Sequence, residues 1–151
     1  MIYIVLLLIS CSLTYFIKNY AIKKSLIAEV IERSSHTVPT PHGGGIAISI
    51  TWFVGLFYLY FDNQINDTLF YTLLLGIVIS VVSFFDDIYE LSPKLRLTVQ
   101  SFVAISALII LGGFNNITLG IFDISFSFLT NIFAFLMIVW FINLTNFIDG
   151  I

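Results

Sequence analysis

Apolar residues in this chain do not alternate with polar ones; they gather in blocks. Five blocks, 2–17, 46–61, 68–85, 97–111 and 127–142, contain no Asp, Glu, Lys or Arg. Each approaches the ~20 residues that a helix needs to cross the hydrocarbon core of a bilayer, so interfacial residues are expected to lengthen the shorter ones. An open sheet cannot satisfy its backbone in lipid, which makes each block a helix. The pattern predicts an all-α polytopic membrane protein with about five transmembrane helices in a single domain, 1–151. One connection differs. After Asn115-Asn116, the residues Ile117, Leu119 and Ile121 alternate with Thr118 and Gly120. That period of two predicts a short surface hairpin near 115–125.

The polar connections set the expected orientation. Residues 18–45 carry Lys18, Lys23, Lys24 and Arg33, and 86–96 carry Lys94 and Arg96. The intervening connections, 62–67 and 112–126, carry only the acidic Asp62, Asp67 and Asp123. By the positive-inside rule the N-terminus lies outside, and 18–45, 86–96 and 143–151 lie in the cytosol. No Lys or Arg precedes the first block, so it is a permanent span rather than a signal peptide.

Composition narrows the classes. The chain is 59% hydrophobic and 10% charged, with a mean hydropathy of +1.05. So few charges cannot cover a soluble surface, which excludes a soluble enzyme, a nucleic-acid binder and a disordered region. Cys11, the single cysteine, excludes a disulfide framework and reads as a small apolar residue within the first span.

Three polar clusters reach the predicted cytosolic face. The first is Arg33-Ser-Ser-His36-Thr-Val-Pro39-Thr40-Pro41-His42-Gly43-Gly44-Gly45. Its prolines stiffen the approach to the second span, and its glycines permit close backbone packing. Amides at the helix start could hold an anion there; the plainer alternative is a loop that reverses the chain. The second is Phe84-Phe85-Asp86-Asp87-Ile88-Tyr89-Glu90. Adjacent carboxylates repel unless a cation intervenes, and Mg²⁺ takes carboxylate and phosphate oxygens together. The two point about 100° apart on a helix, so one is expected to face a metal and the other a reacting or cationic group. The alternative is an acidic helix end in water. Ser92-Pro93 then starts a helix, with Lys94 and Arg96 in its first turn, where the helix dipole disfavours them. A phosphate or lipid headgroups would compensate, or both chains snorkel. Gln100, one turn beyond Arg96, reads as interhelical glue. The third is Asn143-Leu-Thr-Asn146-Phe-Ile-Asp149-Gly150, a polar stripe if the helix continues and a capped helix end if it does not.

These three segments, in this order, resemble the polyprenyl-phosphate N-acetylhexosamine-1-phosphate transferases, glycosyltransferase family 4. The matching stretches are 36–45, 85–100 and 143–150. The triple glycine and the Asn-Leu-x-Asn-Phe pattern resemble the O-antigen-initiating branch more than the lipid I-forming one. His42 stands where many members carry Arg. The resemblance implies transfer of an N-acetylhexosamine 1-phosphate from a UDP-sugar to undecaprenyl phosphate, with release of UMP, at the cytosolic side of the inner membrane. It implies Mg²⁺, with Mn²⁺ as a substitute. It makes Asp86 and Asp87 the catalytic pair and, with Asp149, the metal ligands. Arg33, His36, Thr40, His42, Gly44, Lys94, Arg96, Asn143 and Asn146 would bind substrate. The resemblance also implies later elements after 151, including a further acidic ligand and a His-rich loop. The 151 residues alone are therefore expected to insert in a membrane without turning over. The rival readings are an inactive membrane fragment of such an enzyme and a transporter subunit. The latter would want charge at mid-membrane, which the apolar blocks lack.

Overall fold

A computed structural model describes residues 2–23, 27–28, 40–41, 44–89, 91–120 and 122–149. Its helices are α1 (Ile2–Lys23), α2 (Gly44–Phe61), α3 (Asp67–Leu74), α4 (Gly76–Tyr89), α5 (Pro93–Leu111) and α6 (Ser127–Asp149). α3 and α4 make one span, Asp67–Tyr89, so five segments among the described residues are long and apolar enough to cross a membrane. The third span is interrupted at Leu75. There the Leu75 amide donates to the Thr72 carbonyl at 3.3 Å and the Val78 amide to the Leu75 carbonyl at 3.0 Å, bonds of three-residue rather than four-residue reach.

Residues from opposite ends of neighbouring helices share grooves. Tyr3 and Leu6 of α1 lie with Gly55 and Leu59 of α2, and Gly45 of α2 lies with Asp87 of α4. The spans therefore run alternately up and down. α5 packs against α3, α4 and α6, and among the described residues it supplies more of the buried core than any other helix: Gln100, Val103, Ala104 and Ala107. Small residues at these contacts suit a lipid solvent, where helices gain by close approach rather than by hiding apolar surface. Large apolar side chains such as Tyr3, Leu7, Phe102, Ile109 and Trp140 point outward.

Two short antiparallel pairs complete the fold. β3 (Ile117–Leu119) pairs with β4 (Phe122–Ile124), Thr118 opposite Asp123, which is the hairpin expected from the alternation. β1 (Ile27–Ala28) pairs with β2 (Thr40–Pro41). The sequence reading has only a loop there, since strands of two residues leave no periodicity to detect.

The hairpin end is organised by Asn131. Gly112 caps α5 with φ +77°, and the amides of Gly112 and Gly113 donate to the carbonyls of Ile109 and Leu108. The Asn131 side chain then accepts from the Phe114 amide at 2.9 Å and donates back to the Phe114 carbonyl at 3.1 Å. Gly113 has φ +71°, and a Cβ there would stand 2.7 Å from Asn131 Oδ1, so any other residue strains the backbone and pushes Asn131 off its bonds to Phe114.

Candidate functional site

The α4–α5 connection begins with Asp86 and Asp87 in the last turn of α4. It ends at Ser92, whose hydroxyl accepts from the Leu95 amide as the N-cap of α5, with Pro93 at the first helical position. The two neighbouring carboxylates face different sides. Asp86 Oδ2 accepts from Arg96 Nη1 at 2.7 Å, and Oδ1 accepts from the Leu91 amide at 2.9 Å. Asp86 is 19% exposed and Arg96 35%. The partner that offsets the dipole penalty on Arg96 in this chain is thus a carboxylate.

Asp87 lies at one end of a groove of about 650 Å³ between α2 and α4. Gly45, Ser49, Ser80, Ser83 and Phe84 line the groove near it, and it continues past Phe53 to Phe57 and Ile77. Ser80, Ser83 and Asp87 are spaced three and four apart on one helical face. That stripe was visible in the sequence but hidden inside an apolar block. The close packing expected of the glycine run is not seen at Gly44 and Gly45: a Cβ on either would meet nothing within 4 Å among the described residues.

α6 continues through the third cluster to Asp149, so Asn143, Asn146 and Asp149 share a helix that ends on the Asp87 side of the bundle. Asn143 Nδ2 donates to Gln100 Oε1 at 2.6 Å and to the Val139 carbonyl at 2.8 Å. Gln100 is buried, and this bond joins α5 to α6 within the bundle, the interhelical role expected of it. Lys94 is exposed in the first turn of α5. Arg33, His36 and His42 fall outside the described residues, and Thr40 is placed only as a strand residue beside Ala28. Asp86, Asp87, Lys94 and Arg96 are thus gathered at the same end of the bundle as the first turn of α2, with Asn143 deeper, beside Gln100. Among the described residues no three His, Cys, Asp or Glu side chains gather to hold a metal.

A family model described as Glycosyl transferase family 4 matches residues 69–151, more than half of the chain. The match takes in the Asp86–Asp87 and Asn143–Asp149 segments and leaves the glycine run outside it. No curated protein and no solved structure matches. The family match and the five membrane-length helices agree on the general class, so the chain belongs to glycosyl transferase family 4 and is, at that level, a membrane-embedded glycosyl-phosphate transferase.

Proposed function

We propose that this protein transfers an N-acetylhexosamine 1-phosphate from a UDP-sugar to undecaprenyl phosphate, releasing UMP. The product would start a cell-envelope polysaccharide, of the O-antigen type by its sequence pattern. An oxygen of the lipid phosphate attacks the sugar-bearing phosphorus, and the bond from that phosphorus to UMP breaks. The observation that supports this reading is the groove between α2 and α4. A hydrocarbon-lined channel that ends at a carboxylate suits an acceptor made of a long apolar chain and a phosphate.

Phosphoryl transfer asks the protein mainly to position the groups and neutralise charge. Mg²⁺ fits the donors: it binds through one or two carboxylates and completes its shell with phosphate and water. Asp87, with Asp149 from the end of α6, would hold it, and it would neutralise the donor's pyrophosphate. Lys94 adds a cation for a phosphate, and Arg33 and His36 lie close in sequence to β2 and α2. The site end would face the cytosol, where nucleotide sugars are made.

Membranes from cells expressing a version extended through the later elements that the resemblance implies, given UDP-GlcNAc, undecaprenyl phosphate and Mg²⁺, should release UMP. Asp87→Asn should lower that rate about 100-fold or more, the usual effect of removing a key electrostatic group. Asp123→Asn, at the other end of the bundle, should stay within about twofold, as substitutions away from a site generally do. A rate indifferent to Asp87→Asn, or no UMP at all with any UDP-N-acetylhexosamine, would remove this reading.

A further inference from the structure

Adjacent carboxylates on a helix are expected to divide their tasks, and the geometry shows which of them faces a cation. Asp87 lies in the groove toward α2; Asp86 lies in a small crevice toward α5, with Arg96 and Gln100. Both Asp86 oxygens are engaged, one by a side chain ten residues away and one by a backbone amide five residues away. A single carboxylate thereby ties the last turn of α4 to the connector and to the first turn of α5. The ion pair is half-buried and only partly screened by solvent.

We propose that Asp86 and Arg96 are a positioning pair for the transfer reaction. They hold the turn that presents Asp87 and Lys94, and neither ligates the metal nor exchanges a proton with substrate. The proposal rests on the transferase reading above.

The pair and the reaction are tested separately. In detergent-purified protein, Asp86→Ala and Arg96→Ala should each lower the Tm by about 3 °C, the scale of one modest interaction in a chain of this size. The double Ala variant should fall no further than the worse single, because the two side chains share one interaction. For activity, the informative variant is the exchange of Asp86→Arg with Arg96→Asp, since an ion pair survives reversal and a metal ligand does not. The exchange should recover turnover at least about tenfold over the worse single charge change. With Asp86→Asn, which keeps an acceptor for the Leu91 amide, kcat should fall while the half-saturating Mg²⁺ concentration stays within about twofold; with Asp87→Asn that concentration should rise about fivefold or more.

Additive Tm losses would overturn the pair. Coupled Tm losses without recovery of turnover by the exchange would overturn its positioning role. So would an Asp86→Asn shift in Mg²⁺ dependence as large as that of Asp87→Asn. If Tm coupling holds but turnover of the extended version is absent, or is insensitive to Asp87→Asn, the transferase reading itself has failed and the pair has no catalytic purpose.

Discussion

The two ends of the bundle are stabilised differently. At the hairpin end, neutral side chains satisfy backbone groups: Asn131 pairs with Phe114, and Asn66 caps α3 by accepting from the Leu69 amide. Rings fill the space between α2 and α3, with Tyr60 stacked on Phe70 at 4.0 Å. At the opposite end the ties are charged and run between helices, through Asp86, Arg96 and the connector. One end is closed largely by neutral bonds to backbone groups, with Asp62 accepting from Gln64 beside them, and carries no Lys or Arg. The other gathers charges of both signs, some paired with each other, and the Asp87 groove starts there.

The contrast breaks most sharply if the ends are assigned to the wrong sides of the membrane. A reporter active only in the cytosol should work when fused after Glu32 or Leu91 and be silent after Asn66 or Asn116, an all-or-none difference. The reverse pattern at both pairs would turn the charged end away from the cytosol and sink the shared-face site.

A smaller effect tests the closed end. Gly113→Ala forces a side chain into left-handed backbone against Asn131, which should cost about 2 kcal/mol or more. In a thermal melt that lowers the Tm by several degrees, and Gly112→Ala, with open space around it, should do less. Equal losses at both glycines would mean that backbone strain alone, and not the Asn131 clasp, governs this end.

The smallest effect lies between the ends. Gln100→Leu removes the bond to Asn143 and should cost about 0.6 kcal/mol in membrane or detergent, the average for interhelical polar bonds in lipid. No change in the Tm would show that Asn143 finds another partner.

Much of this was legible in the residues because a bilayer allows few solutions. Uncharged blocks gave the spans, Ser92-Pro93 gave the start of α5, and alternation at 117–121 gave the hairpin. The β1–β2 pair was not legible, because two-residue strands carry no period. The break at Leu75 was not legible either, since Leu-Gly within an apolar run is ordinary. At the site, the adjacent carboxylates announced themselves, but their partners did not. Arg96 meets Asp86 only because α4 and α5 fold back on each other, and Ser80 and Ser83 join Asp87 only once the face toward α2 is known. The Asn143 bond to Gln100 spans 43 residues, a distance that no local pattern reports.

The length of α2 has one more consequence. Its 18 residues make ~27 Å of helix, against a hydrocarbon thickness of ~30 Å. α4 and α3 together run 23 residues beside it. A helix shorter than the hydrocarbon is met by thinned lipid, by flanking side chains that reach outward or by neighbouring subunits, at a modest energy per ångström of mismatch. The groove shared by Gly45 and Asp87 opens at an end of this short helix. An acceptor of the kind proposed above, an apolar chain that carries a phosphate, would therefore have little depth to cross between headgroup level and the carboxylate.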